Sequence, residues 1–259
     1  MRCFMIYTIE LRILHLSDDR LPDWRIEKSA ISASNLGYEV IFAGRNSETY
    51  RTNTFSRKYE INWTERSRRG IPFYWHSVKK QVERTIRESK PDIVHAHNIF
   101  SAKMISEFRL PFIYDDHEHW SEFSKILIHA DAKMSRNHTS GLPRKALRKV
   151  AKNLLNRRAM RLWTKWEKEV VSSAPTITVS DKIAEDLRAI GNSDKVFIVP
   201  NFPTKFETEK FEKPKIHPRL SSIYAGSDGL NKQKIPNRNI DGITEIFANK
   251  NIGGLTIIG

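Results

Sequence analysis

The stretch Pro91-Asp92-Ile93-Val94-His95-Ala96-His97, with Pro111-Phe112-Ile113-Tyr114-Asp115-Asp116-His117-Glu118-His119 after a spacer, decides the fold. Two short apolar runs, Ile93-Val94 and Phe112-Ile113-Tyr114, each follow a proline and each end in histidines and carboxylates. Proline is tolerated at the first residue of a strand. Between the runs, Ile99 to Phe108 has room for about three helical turns. Strand, helix, strand predicts a parallel pair with a crossover. Ligands of open parallel sheets bind beyond the carboxyl ends of the strands. Here those ends carry His95, His97, Asp115, Asp116, His117, Glu118 and His119, and this cluster is the main clue to chemistry.

Upstream, Leu11 to Leu16 reads as a first buried strand and Asp18 to Arg25, with Pro22, as a loop. Ile26 to Leu36 reads as a helix, with Gly37 placed as its C-cap, and Tyr38 to Ala43 as a second strand. A β-α-β opening of this length predicts a doubly wound fold. The glycine fingerprint of dinucleotide binders does not follow the first strand, so an ordinary NAD-type dehydrogenase is a poor fit. Asn46 to Arg69 reads as irregular, with a strand at Tyr59 to Trp63. Pro72 to Glu88 reads as a helix with Phe73, Val78, Val82 and Ile86 broadly on one side.

Downstream, Ala174 to Ser180 is a predicted strand ending in an N-cap, and Asp181 to Ile190 a helix closed by Gly191. Lys195 to Val199 is a further strand, ending at Pro200-Asn201. Phe202 to Pro218 holds three prolines and many charges and reads as a linker. Ser222 to Ala225, Asn237 to Asn249 and Leu255 to Ile258 then read as strand, helix and strand. The expected domains are residues 1–203, a linker at 204–218 and a second domain at 219–259.

A chain of 259 residues, 39% hydrophobic and 29% charged, is able to build a packed core. Its net charge of +14, from 44 basic and 30 acidic residues, favours anionic partners. The lone Cys3 excludes an internal disulfide framework and a cysteine-based zinc site. No stretch reads as a membrane span, and the apolar part of Met1 to Ile9 is too short for a signal peptide. The expectation is a cytoplasmic protein, peripheral at the inner membrane face.

The charge concentrates between Pro143 and Lys168, where Glu167 is the one acid. Leu147, Val150, Ala151 and Leu154 recur at helical spacing, so one face is apolar and the other cationic. Two readings stay open. One is a surface helix packed on the sheet. The other is contact with anionic lipid through Arg144, Lys145, Arg148, Lys152, Arg157, Arg158 and Arg161, at about 1 kcal/mol per basic residue near the surface. No nucleic-acid recognition module accompanies the charge, so nucleic acid is not an expected partner.

Four segments together resemble the family 4 glycosyltransferases of GT-B fold. Gly37-Tyr38-Glu39-Val40 is similar to the family's turn into its second strand, and Pro91 to His97 to its mid-domain strand. Tyr114-Asp115-Asp116-His117-Glu118 resembles the Asp-x-His-Glu of one branch. Thr178-Val179-Ser180 with Val199-Pro200-Asn201 resembles its late strand pair. Ile223-Tyr224-Ala225-Gly226 and Arg238-Asn239-Ile240-Asp241-Gly242 are similar to the start of its second domain. Where the family often has a Gly-Gly turn after the first strand, this chain has Asp23-Trp24-Arg25, which matches the Asp-x-Arg of some relatives. The family's acidic donor motif would lie beyond Gly259.

The resemblance implies an α/β, GT-B-type chain: one complete Rossmann-like parallel-sheet domain plus a truncated second one. It implies transfer of a sugar from a nucleotide-sugar to a hydroxyl of a glycan or lipid-linked acceptor, without a metal or other cofactor. By the same resemblance His117 and Asp116 are catalytic. Arg25, His97, Asn98 and Glu118 bind substrate, and Arg238 faces the donor phosphates, where a guanidinium at a helix N-terminus suits a diphosphate. Two alternatives stay open. One is an inactive or partner-dependent fragment whose second domain a separate polypeptide completes. The other is a metal-dependent hydrolase built on His-x-His and the nearby carboxylates. Against the hydrolase, Asp115 and Asp116 diverge on a strand and no further His-rich motif follows.

Overall fold

The structure, a computed structural model, describes residues 11–45, 53–123, 143–203, 220–225, 240–250 and 253–258. For 143–153, 220–225, 240–243, 253 and 257–258 it describes the backbone alone. The chain divides into two compact units, and the boundary along the chain falls between Asn201 and Phe202.

In the first unit the elements follow as β1 (Arg12–Arg20), α1 (Trp24–Asn35), β2 (Glu39–Arg45), β3 (Arg57–Glu60), α2 (Glu65–Arg68), α3 (Pro72–Ser89), β4 (Ile93–His97) and α4 (Asn98–Ile105). Then come β5 (Phe112–Asp115), α5 (Pro143–Ser173), β6 (Thr176–Thr178), α6 (Asp181–Gly191) and β7 (Val196–Ile198). The seven strands form one parallel sheet in the order β3-β2-β1-β4-β5-β6-β7. The order reverses at β1, so β1 and β4 flank the switch point where such sheets bind ligands.

Several expected boundaries change: the strand expected at Tyr59 to Trp63 is β3, at Arg57–Glu60, and α2 forms within the segment read as irregular. The segment Asp18 to Arg25 is not a loop throughout: β1 continues to Arg20, which pairs with Arg45 of β2 after a shift in register. α1 begins at Trp24 because the Asp23 side chain accepts hydrogen bonds from the Arg25 and Ile26 amides, the standard role of an N-cap aspartate. This early start is what carries Arg25 to the sheet edge.

Side chains alternate across a strand, and the register divides the sheet cleanly. Leu14 and Leu16 of β1, Val94 and Ala96 of β4 and Tyr114 of β5 fall on one face and are fully buried in the main core. Ile99, Phe100 and Met104 of α4, Val78 and Val82 of α3 and Trp166, Val170 and Val171 of α5 pack into that same core. His15, His95, His97 and Asp115 occupy the alternate positions, with His15 beside His95 and His97 beside Asp115 in register. A second, smaller core of Leu21, Ile26, Ala30, Val40, Phe42 and Phe55 seats α1.

Of the apolar stripe expected on α5, Leu147, Val150 and Ala151 lie outside the residues whose side chains are described, and Leu154 does not pack. Leu154 is 61% exposed and Leu155 45%. Among the described side chains of α5 the packing face runs from Ala159 and Met160 through Trp166, Glu167, Val170 and Val171, a 3–4 residue spacing that makes one helical face. Gly70, between α2 and α3, has φ +64, a value that favours glycine. A side chain there would meet Leu162 Cδ2 at 2.5 Å, so its absence lets α5 close on the turn.

In the second unit, β8 (Leu220–Ala225), α7 (Ile240–Lys250) and β9 (Gly253–Ile258) follow one another. β8 and β9 pair in parallel from Leu220 with Gly253 to Ala225 with Ile258, as the strand-helix-strand reading of this segment expects. The expected linker from 204 on and Arg238 lie outside the described residues.

Candidate functional site

Asp115 is the hub of the first unit's carboxyl edge. Its side chain is 2% exposed. One oxygen, Oδ1, accepts from the Arg25 guanidinium. The other, Oδ2, lies 3.2 Å from His95 Nε2, 3.3 Å from His97 Nδ1 and 3.4 Å from His117 Nε2. Burial alone would raise its carboxyl, but hydrogen bonds from His117, His95 and His97 outweigh burial and hold it well below the usual carboxylate range. The site therefore keeps a fixed negative charge.

The imidazoles stack into a chain. His97 Nδ1 is 3.3 Å from His117 Nε2, and His97 Nε2 is 3.0 Å from His15 Nδ1. The His95 and His97 rings stack with centroids 4.3 Å apart. Burial first, and the neighbouring His95 second, push His97 down to about 3; His15 is lowered by the same two causes in the same order, with His97 adding to them. Both rings are neutral in the folded protein. His117 and His95 keep part of their side chains in solvent, 11% and 14% exposed. They are the rings able to meet a substrate.

Asp116, expected beside His117 as a catalytic group, points to the opposite face because it follows Asp115 on the strand. It is buried, and its Oδ1 accepts from the Tyr114 hydroxyl at 2.9 Å and the His119 amide at 3.1 Å. Glu167 of α5 accepts from the Trp120 and Ser121 amides at 2.9 Å each. Together the two acids grip the bend that carries His117 from the core side. Burial, then the negative charge of Glu167, raise Asp116 to about 7. Tyr114 is raised well above its ordinary value by burial and by both acids.

The other expected substrate residues divide. Arg25 and His97 join the cluster through Asp115. Asn98 is the first residue of α4, with φ +65, and its side chain hydrogen-bonds toward Asp18. Glu118 is exposed on the bend. Among the helix cations, Arg157, Arg158 and Arg161 are exposed, while the side chains of Arg144, Lys145, Arg148 and Lys152 fall outside the described residues. Two groups of three bring one ligand atom each within 4.8 Å of one another: His15, His95 and His97, and His97, Asp115 and His117.

Sequence reasoning missed His15 and Glu167 as parts of the site, and also an ion pair at its border. In that pair, Arg68 reaches Asp18 Oδ2 at 2.8 Å. His15 did leave a trace, as the one polar residue inside Ile13-Leu14-His15-Leu16.

A family model described as Glycosyltransferase Family 4 matches residues 30–202, most of the chain and all of the region from His95 to Glu167. The chain belongs to glycosyltransferase family 4. Among solved structures, this family 4 chain is similar to sucrose-phosphate synthase from Thermosynechococcus elongatus. The two are 10% identical, with 96% of this chain and 70% of that one covered, at a TM-score of 0.55. It is also similar to the glycotransferase of kitacinnamycin, at 11% identity, 95% and 65% coverage and a TM-score of 0.50. At these identities the likeness concerns the fold, which is that of GT-B glycosyltransferases. No curated protein sequence matches the chain. Among the described residues no helix is long and apolar enough to cross a membrane.

Proposed function

We propose that this family 4 glycosyltransferase moves a sugar from a nucleotide-sugar donor to a hydroxyl of a glycan or lipid-linked acceptor, with His117 as the reacting-site imidazole. One observation carries the reading: a partly exposed imidazole is held by a buried, ionised Asp115 at the carboxyl edge of the sheet. Asp115 fixes the tilt of His117, and the neutral His97 ring backs it. The imidazole is thus placed to hydrogen-bond the sugar or the acceptor hydroxyl. Placement of that kind lowers a barrier by removing rotational freedom before the reaction. Arg25, held by Asp115, is a fixed positive charge beside it, suited to the charge that develops on a departing diphosphate. Asp116 acts as a positioning residue from the core side, and Arg238 is assigned to the donor phosphates on the resemblance alone.

The test is an assay of the purified chain across several nucleotide-sugars with a total lipid extract as acceptor. His117→Ala is expected to lower kcat by about 10²-fold or more, the usual weight of a positioned acid-base group, while circular dichroism stays unchanged. Undiminished turnover in a folded His117→Ala protein would remove His117 from the reaction.

A membrane contact is supported by a separate observation. Leu154 and Leu155 stand exposed one turn before the exposed Arg157, Arg158 and Arg161. Apolar side chains next to a cationic cluster suit an anionic bilayer surface, where acyl burial and charge attraction add. A lipid-linked acceptor would be met at that surface.

A further inference from the structure

His97 Nδ1, Asp115 Oδ2 and His117 Nε2 form a nearly equilateral triangle with edges of 3.3, 3.3 and 3.4 Å. A tetrahedral zinc ion with nitrogen and oxygen ligands about 2.0–2.1 Å away has its ligand atoms about 3.3–3.4 Å apart. The two edges to the carboxylate, 3.3 and 3.4 Å, are longer than the about 2.7–2.9 Å of the strongest charge-assisted N–H to carboxylate bonds, so the hydrogen bonds that join the three groups leave the spacing an ion needs. We propose that His97, Asp115 and His117 are a three-ligand site for a zinc ion, with the fourth tetrahedral position open to solvent on the His117 side.

The surroundings are those a metal site needs. A ligating histidine hands its second ring N–H to an acceptor, which fixes the ring and leaves the first nitrogen as a lone pair. His97 has that partner in His15 Nδ1, at 3.0 Å from His97 Nε2. A ligating carboxylate is itself hydrogen-bonded. Asp115 has Arg25 on Oδ1 and His95 Nε2 3.2 Å from Oδ2, and Oδ2 is the oxygen that faces His97 and His117 for binding in the monodentate mode. The positive charge of Arg25 opposes a dication, and the Asp115 carboxylate between them offsets that repulsion. Access follows from exposure: His97 and Asp115 are buried, and His117 reaches solvent. Two imidazoles, one carboxylate and an open vertex is the donor set of open zinc sites. Imidazole donors at this count do not suit magnesium or calcium, which take oxygen ligands.

Zinc held here withdraws the His117 nitrogen from sugar or acceptor, so zinc binding and transfer exclude one another. Only that consequence rests on the role proposed for His117. The binding itself does not, so the two readings fail separately.

The experiment uses the full chain, dialysed against chelator and then titrated with zinc chloride by calorimetry and with cobalt chloride by visible absorption. The expected result is one ion per chain and the intense bands of tetrahedral cobalt. His117→Ala, at a partly exposed position on a bend, is expected to fold, to lose the bands and to bind zinc more weakly by beyond the about 10–100-fold typical of losing an outer-shell partner. Asp115→Asn is the second ligand variant, and its fold is checked by circular dichroism. His76→Ala, an exposed histidine on α3, is expected to leave binding unchanged. Absence of binding in the parent chain would overturn the site. So would retention of full affinity in His117→Ala, which would move the ion to His15, His95 and His97 or elsewhere.

Discussion

Asp115 gives one carboxylate oxygen to Arg25, ninety residues earlier in the chain, and the other to the imidazoles of His95, His97 and His117. The pair ties the start of α1 to the end of β5 across β1 and β4. It is therefore both a structural clamp and the orienting element of the site.

Breaking that clamp from the Arg25 side leaves a buried carboxylate without its cation. Arg25→Met is expected to destabilise the protein by about 3–5 kcal/mol, the usual cost of orphaning a buried charge. Arg25→Met with Asp115→Asn should cost less than the two changes added, with a coupling of about 1–3 kcal/mol. Urea unfolding of the four proteins measures it. Simple additivity would mean that the two side chains do not interact in solution.

Glu167 serves the amides of Trp120 and Ser121 inside the core. Glu167→Ala removes both acceptors, and each buried amide left alone costs about 1–3 kcal/mol. Glu167→Gln keeps one acceptor oxygen and should lose about half as much. Because these amides hold the bend that carries His117, transfer by Glu167→Ala should fall through kcat more than through KM. A variant with normal stability and normal kcat would show that the bend holds itself.

Asp18 supplies a pH signature. Burial outweighs its Arg68 partner and raises its carboxyl from 3.8 to about 6 in the folded state. The fold thus favours the protonated form relative to the unfolded chain. The associated stability is fully present below about pH 4 and is lost as pH rises to about 6. The loss is roughly 3 kcal/mol, at about 1.4 kcal/mol per unit. Asp18→Asn cannot titrate. The stability of the parent chain minus that of Asp18→Asn should therefore drop across that window and level off above it. Parallel stability curves from pH 4 to pH 7 would contradict the assignment.

The α5 cations give a fourth expectation. The parent chain should co-sediment with anionic vesicles, and binding should weaken as salt shortens the screening length through about 10 Å. Changing Arg157, Arg158 and Arg161 to Glu should abolish it. Equal binding of both proteins would leave α5 as an ordinary surface helix.

The parallel sheet was legible because Ile93-Val94 and Phe112-Ile113-Tyr114 are too short for helices and are punctuated by prolines and polar clusters. The gathering of histidines at strand ends followed from the same reading. What the sequence hid is register. Nothing in Ile13-Leu14-His15-Leu16 says that His15 lies beside His95, because the two are eighty residues apart and only the β1–β4 register brings them together. Period-two alternation already separates Asp116 from Asp115 in the sequence, and the pairing of Asp116 with His117 came from the family resemblance alone. Glu167 stands alone among cations, and nothing in the sequence marks it as buried. Its burial depends on Trp166 and Val170 beside it turning that face of α5 inward.

The alternation between Asp115 and Asp116 sets which kinds of heritable change this site survives. Loss of a single residue from Phe112-Ile113-Tyr114 would turn β5 over from that point. Asp116 would then face the imidazoles, and His117 would enter the apolar core. A carboxylate would remain among the histidines, but the His117 imidazole, one of the two with access to solvent, would be gone. A one-residue insertion or deletion in β5 is therefore expected to disrupt the site more than one in a surface loop. Substitutions that keep chain length leave that alternation intact.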